Sequence, residues 1–156
     1  MNNYIYIFLI AIFFVSCQQT DGDTKESLQK ELTGISIKEL RIDTFSTFPP
    51  EIDGCSCYFS NDSLEFNNDH YICMYNAEIL FLKINGVLTK FTPIERKDID
   101  STTTFYNIKN ESHEITIEVK NGPRKGEETW LKTGTINLKV KNGAQLTKTF
   151  YGECGC

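Results

Sequence analysis

Much of the chain alternates apolar and polar residues with a period of two, the pattern of β-strands that bury one face. In the clearest case, Ile115, Ile117 and Val119 alternate with polar neighbours between Glu114 and Lys120. Comparable alternation or short apolar runs recur at short intervals. Together they predict strands over residues 35–43, 57–59, 64–66, 71–75, 79–84, 87–91, 114–120, 130–140 and 144–151.

Turn signals between these strands indicate how they pair. Asn85-Gly86 and Asn142-Gly143 each lie between apolar runs, and a type I′ hairpin turn needs positive φ at both central residues, which Asn and Gly adopt readily. Residues 121–128 and 95–98 are predicted to be charged, solvated loops. No run supports a long helix. The predicted fold is all-β, an antiparallel sandwich or small barrel of about eight strands.

The start of the chain carries a different signal. Residues 4–15 are apolar, and Ser16 and Cys17 close the run before a polar stretch begins. The run fits the ~7–15-residue apolar core of a secretory signal peptide and is shorter than the ~20 residues that a spanning helix needs. The four residues from Phe14 to Cys17 resemble a bacterial lipobox, in which cleavage precedes a cysteine that carries lipid.

This organisation predicts an exported protein held at the bacterial cell envelope. The expected segments are a signal peptide over 1–16, a lipidated Cys17 with a flexible tether over 17–33, and a β domain over 34–156. One acyl chain binds a bilayer only marginally, whereas two or more give stable anchoring. The membrane, through lipid on Cys17, is therefore the first expected partner. The sequence leaves open whether the domain lies at the periplasmic face or at the cell surface.

Composition and motifs argue against several classes of function. The formal net charge is −5 and the chain has no basic stripe, so nucleic acid is not an expected partner. The chain has two histidines, His70 and His113, and neither has a motif partner. Motifs for zinc hydrolases, serine hydrolases, P-loops and dinucleotide binding are missing. We therefore expect no catalytic residue, no cofactor and no enzymatic activity.

The cysteines have the most distinctive spacing in the chain. Apart from Cys17, four of them form two Cys-x-Cys pairs, Cys55 with Cys57 and Cys154 with Cys156. Residues two apart on a strand have Cα atoms roughly 6.5–7 Å apart, at the limit for a disulfide, while residues opposed across a ladder are about 4.5–5.5 Å apart. We predict that the two pairs meet and that at least one disulfide joins them, in a pairing left open.

Two other roles for these four cysteines stay open. Four thiolates are a suitable ligand set for zinc or Cu(I), although zinc sites usually space their cysteines by two to four residues. A redox role is the third interpretation, although the Cys-x-x-Cys spacing of redox enzymes is absent. Cys73 is the odd cysteine, and we expect it to be a buried apolar residue rather than a ligand.

Four short segments carry a resemblance: 54–57, 71–72, 82–86 and 151–156, the last of which contains Gly-Glu-Cys-Gly-Cys. They resemble an uncharacterised group of bacterial lipoproteins of the Bacteroidetes type, which end in the same five residues. The resemblance implies a lipid-anchored location and a β fold, and it implies no particular activity. Residues 71–73, Tyr-Ile-Cys, also resemble the Tyr-x-Cys of lipoprotein inhibitors of C-type lysozyme, a family of small, cysteine-bonded β-barrels.

The function expected from the sequence is that of an exported, lipid-anchored envelope lipoprotein with a non-enzymatic β domain. This domain would bind or scaffold a protein or glycan that the sequence does not name. Two alternatives remain. One is an inhibitor of a lysozyme-like enzyme, and the other is a lipoprotein that binds a soft metal such as zinc or copper.

Overall fold

The computed structural model describes residues 39–92 and 94–156. Residues 39–156 form one compact unit, which contains all of the secondary structure described below. The predicted signal peptide, the predicted lipidation site Cys17, the tether and the first part of the predicted strand 35–43 lie outside the described residues. In the described part of the chain, no helix is long and apolar enough to cross a membrane.

The described residues form ten strands and one short helix. The helix α1 (Ser63–Asn67) lies between the second and third strands in the chain. The strands are β1 (Ile42–Asp43), β2 (Ser56–Ser60), β3 (Cys73–Tyr75), β4 (Leu80–Ile84), β5 (Val87–Phe91), β6 (Glu95–Asp98), β7 (Thr103–Lys109), β8 (His113–Arg124), β9 (Thr129–Val140) and β10 (Gln145–Gly155).

All ten strands belong to one antiparallel sheet, which confirms the predicted fold class. Their order across the sheet is β1-β4-β3-β2-β10-β9-β8-β7-β6, and β5 pairs with β4 outside this path. Most neighbours are also sequential in the chain, as short hairpin connections require. The sheet is not closed into a barrel, so that alternative does not form.

The sheet folds over so that its two halves face each other. We call β1–β5 the front half and β6–β10 the back half, and the β2–β10 ladder joins them. The rings of Tyr75 in β3 and Tyr106 in β7 have centroids 4.9 Å apart, although four strands separate β3 from β7 in the sheet. At another point, Lys148 Nζ in β10 donates a hydrogen bond to the carbonyl oxygen of Ile42 in β1 at 2.8 Å.

The alternating strands bury their apolar side chains between these halves. Ile115, Ile117 and Val119 of β8 are buried, as their alternation predicts. A single hydrophobic cluster contains residues from both halves, among them Phe59, Leu82, Phe91, Ile136 and Leu138. A second, smaller cluster includes Phe45, Phe66, Tyr71 and Met74.

Residues 64–66 belong to helix α1, so the strand predicted there is wrong. Asp62 is the N-cap, and its side chain accepts a hydrogen bond from the Glu65 N–H at 2.9 Å. Such a cap satisfies one of the N–H groups that the first helical turn leaves unpaired. The three residues Leu-Glu-Phe fit either periodicity, and the cap favours the helix because it holds the chain in the helical turn.

Residues 95–98 form the edge strand β6, so the loop predicted there is wrong. All four residues are exposed, and their charged side chains gave no apolar alternation from which to predict a strand. Charged side chains on an edge strand also discourage pairing with another molecule. The neighbouring strand β7 was not predicted either, because Thr103–Lys109 is rich in strand-forming residues but lacks a regular apolar period.

The Asn85-Gly86 turn is confirmed, with φ of 49° and 85° at the two residues. At Asn142-Gly143, only the glycine has positive φ, because the connection between β9 and β10 spans four residues instead of two. The predicted loop 121–128 is shorter than expected. Strand β8 continues to Arg124 through a register shift.

Candidate functional site

Two disulfides join the start of β2 to the end of β10. Cys57 and Cys154 are register partners in the β2–β10 ladder, and Cys55 and Cys156 meet just beyond the end of that ladder. The Cα–Cα distances are 4.1 Å for Cys57–Cys154 and 4.0 Å for Cys55–Cys156. The two Cys-x-Cys pairs therefore come together as the sequence predicted, and the pairing that the sequence left open is nested.

The inner disulfide lies in a row of side chains that crosses four strands. Tyr75 of β3 is the register partner of Cys57, and Trp130 of β9 is the register partner of Cys154. Register partners in an antiparallel sheet project from the same face, so the two aromatic side chains flank the disulfide. Tyr75 is 2% exposed, and its hydroxyl lies 3.9 Å from Cys154 Sγ. Trp130 is 40% exposed.

The opposing wall comes from the edge of the back half. Arg96 of β6 and Tyr106 of β7 are register partners, and Ile94 immediately precedes β6. Together with the row described above they enclose a cavity of about 310 Å³, open to solvent. We call this cavity the disulfide cleft. Its lining is formed by both disulfides, by Tyr75, Tyr106 and Trp130, by Arg96 and by a few small or polar residues.

The electrostatics of the disulfide cleft depend on Arg96. The Arg96 Nε and Nη2 atoms donate to one carboxylate oxygen of Asp98, at 3.1 and 2.9 Å. Thr104 Oγ1 donates to that same oxygen at 2.8 Å, and these hydrogen bonds lower the pKa of Asp98. Burial raises the pKa of Tyr75 well above its ordinary value, and the nearby hydroxyl of Tyr106 raises it further. Tyr75 therefore stays protonated and neutral at physiological pH.

A second cation, Lys132, lies on the same face of β9 as Trp130, two residues away. Its Nζ atom donates to Asn121 Oδ1 at 2.6 Å. Burial lowers the pKa of Lys132, and the positive charge of Arg96 lowers it further. The two cations are thus near enough across the fold to repel each other.

The remaining candidate residues, Cys73, His70 and His113, do not line the disulfide cleft. Cys73 is fully buried in the main hydrophobic cluster, and burial raises its thiol pKa well above the ordinary value. It therefore behaves as the buried apolar residue that we predicted. Within the described residues, no group of three or more His, Cys, Asp or Glu side chains could hold a metal ion.

Sequence reasoning missed the aromatic and cationic side chains of the disulfide cleft. Trp130 lies far along the chain from Arg96 and Tyr106, and none of their strands carries a motif. One sequence signal pointed to this site. Trp130 is the only tryptophan, and it lies near the start of β9, several residues before the regular apolar alternation of that strand begins. A large aromatic residue outside the buried pattern is a candidate for a binding surface.

The Gly-Glu-Cys-Gly-Cys segment has a structural explanation in addition to its cysteines. A Cβ at Gly152 would collide with the Tyr58 carbonyl oxygen and would lie 2.7 Å from the Phe59 ring. The absence of a side chain there leaves room for Phe59, which stacks on Phe150 with ring centroids 3.9 Å apart. Gly155 is similarly constrained, because a Cβ there would lie 2.7 Å from the Glu128 carbonyl oxygen. The glycines therefore let β10 approach its neighbours closely enough for the disulfides to form.

Comparison of the chain with models of protein families, with curated proteins and with solved structures finds no match.

Proposed function

We propose that this protein is an exported, lipid-anchored envelope lipoprotein whose β domain binds a ligand in the disulfide cleft and performs no catalysis on it. The observation that carries the proposal is the cleft itself, an open cavity of about 310 Å³ with an exposed tryptophan on its wall. Cavities of roughly 300–1,000 Å³ lined by aromatic groups and a few polar groups are typical ligand sites.

Binding explains the cleft better than scaffolding alone does. A scaffold needs a rigid sheet, but it does not need the Trp130 side chain to be 40% exposed beside a cavity. Two disulfides at the rim hold β2 and β10 in fixed register, so the cleft is organised before a ligand arrives. Preorganisation of this kind improves affinity because less conformational entropy is lost on binding.

Ligand binding can be tested by thermal unfolding, because a ligand that binds only the folded state raises the Tm. The test uses residues 18–156, which contain the whole compact unit, with a low-molecular-weight extract of bacterial envelope. We expect an extract component to raise the Tm of the wild type and to have little effect on Trp130→Ala. Phe48→Ala is the matched control, since Phe48 is 48% exposed and does not line the disulfide cleft. An equal rise in Tm for Trp130→Ala and the wild type on adding the extract would contradict the proposal.

Lipid anchoring is a separate part of the proposal, and it is supported by the apolar run that ends at Ser16 and Cys17. We expect the wild type to incorporate radiolabelled palmitate and to fractionate with membranes. Cys17→Ser should incorporate no label and accumulate as a precursor or as a protein released from membranes. Cys73→Ser is the control, because it also removes one cysteine and should keep the label. Labelled Cys17→Ser protein would show that the lipobox interpretation is wrong.

The two alternatives from the sequence have direct tests. A soft-metal site would need four free thiolates, whereas the four sulfur atoms are paired in two disulfides. Metal analysis of protein purified under reducing conditions would test whether reduction creates such a site. The activity of a C-type lysozyme, measured with an equimolar amount of this protein, would test the inhibitor alternative.

A further inference from the structure

The aromatic surface of the disulfide cleft suits a ligand with a flat or apolar face. Tyr75 and Tyr106 are in edge contact with centroids 4.9 Å apart, and they form the inner end of the cleft. Trp130 lies at the exposed end, and the Arg124 guanidinium lies 5.7 Å from its ring centroid. This contact holds the indole in place, because a cation above an aromatic face is attracted to it.

The charges around the cleft favour an anion. Arg96 is the only charged side chain among the described residues that line it, and the one acidic group on a lining residue is the α-carboxyl of Cys156, the last residue of the sequence. Asp98 engages only two of the three guanidinium nitrogens, and Nη1 has no hydrogen-bond partner within the described residues. The Arg96 side chain is also 62% exposed, so its remaining donors are accessible to a ligand. Guanidinium donors form strong, directional hydrogen bonds with carboxylates, sulfates and phosphates.

A second positive group strengthens this preference. Lys132 lies on the same face as Trp130, and Arg96 destabilises its charged form. Lys132 does not line the cleft, so its charge would add only a longer-range attraction to an anion bound at Arg96.

We infer that the disulfide cleft binds a small anion with a ring, such as an aromatic or sugar acid. The ring packs against Trp130 and the two tyrosines, and the acid group accepts hydrogen bonds from Arg96. This inference rests on the proposed binding function and narrows it to a ligand class.

Two fluorescent probes with the same rings test the inference. 8-Anilinonaphthalene-1-sulfonate carries a sulfonate, and N-phenyl-1-naphthylamine is the corresponding neutral compound. Titrations use residues 18–156 with both disulfides intact. We expect the wild type to bind the sulfonate probe about tenfold more tightly than the neutral one, since a hydrogen bond to a charged group contributes at least that much. Added salt should weaken binding of the sulfonate probe and leave binding of the neutral probe unchanged.

Substitutions on β6 supply a matched pair of variants. Arg96→Gln removes the guanidinium and should lower affinity for the sulfonate probe by about fivefold to tenfold, with less than a twofold effect on the neutral probe. Lys97→Gln removes the same charge from the adjacent residue, which does not line the cleft, and should change neither affinity. Trp130→Ala should lower the affinity for both probes.

The possible failures separate the two proposals. If both probes bind equally to the wild type, or if Arg96→Gln and Lys97→Gln behave alike, the anion preference is wrong while binding in the cleft stands. If Trp130→Ala changes neither affinity, the probes bind elsewhere and the cleft loses its support as a binding site. Absence of binding by either probe to folded, oxidised protein would overturn the inference.

Discussion

Individual residues in this protein are constrained most tightly where strands approach closely. Gly152 is the clearest example. The space that a side chain would occupy there is taken by the ring of Phe59, which stacks on Phe150. Packed interiors have little free volume, so one added methyl group must displace its neighbours. The requirement for glycine is steric and does not come from an unusual φ angle.

We therefore predict that Gly152→Ala destabilises the protein by about 1–3 kcal/mol, the usual cost of overpacking a core. Gly126→Ala is the matched control, because a Cβ there would make only ordinary contact with Thr129 at 3.6 Å. Urea unfolding without reductant would measure both, and the control should change stability by less than about 0.5 kcal/mol. Equal effects of the two substitutions would exclude the steric explanation.

Cys73 gives a second prediction at the residue scale, through its ionisation. Burial raises its pKa in the folded state, so the thiol keeps its proton when the unfolded chain has lost it. The folded state then binds more protons than the unfolded state above about pH 8.5, the ordinary thiol pKa, and stability must fall as the pH rises beyond that value.

Urea unfolding at pH 7, 9 and 9.5 would check this prediction. We expect the wild type to lose stability progressively above about pH 8.5 and Cys73→Ala to lose distinctly less over the same interval. The same burial should protect Cys73 from alkylation in the folded protein until a denaturant is added. Rapid alkylation of the native thiol would show that Cys73 is accessible.

At the scale of elements, the two disulfides act on a single strand pair, β2 and β10. Their sequence separations are 101 and 97 residues, so either bond alone closes nearly the same long loop. Once one bond exists, the other closes only a ring of a few residues. In the chain-entropy model a loop of about 100 residues contributes about 5 kcal/mol, while a ring of about six contributes roughly 2 kcal/mol.

The two bonds should therefore be strongly non-additive. Removing one disulfide, as Cys55→Ala with Cys156→Ala or as Cys57→Ala with Cys154→Ala, should cost about 2 kcal/mol, and removing both should cost about 7 kcal/mol. Urea unfolding of the three variants and the wild type would give these values. A cost for the fourfold variant equal to the sum of the two double variants would contradict the shared-loop argument.

At the scale of the whole molecule, folding the sheet over unites both halves in one core. The main hydrophobic cluster includes Leu82 from the front half and Leu138 from the back half. Neither half could bury its apolar face without the other, and a sheet with one exposed apolar face is unstable in water. The compact unit should therefore unfold in one cooperative transition.

Trp130 offers a direct test, because it is the only tryptophan and lies in the back half. Leu82→Ala alters the front half, where Leu82 is fully buried, and should lower stability by about 2–5 kcal/mol. We expect Trp130 fluorescence and far-ultraviolet circular dichroism to report the same shifted midpoint. An unshifted Trp130 transition would show that the halves unfold independently.

Features of this fold that depend on interactions between neighbours in the chain could be predicted from the sequence, and features that depend on long-range contacts could not. Local pattern was enough for the all-β class, for the buried alternation of β8 and β9, and for the Asn85-Gly86 turn, because each depends on neighbours in the chain. It failed at β6, where an exposed, charged strand has no apolar period, and at α1, where a single cap decided between two short patterns.

The same distinction applies to the candidate site. The two Cys-x-Cys pairs could be predicted to meet, because residue spacing puts a bond within each pair at the limit of disulfide reach and favours a partner across a ladder. Their nested pairing required the β2–β10 register, and the cleft beside them required the fold of the whole sheet. Tyr75 of the front half and Tyr106 of the back half meet there only because the two halves face each other. The sequence by itself therefore determined most of the strands and the cysteine link, and only the tertiary structure decided the site, since packing between distant strands leaves no mark on local periodicity.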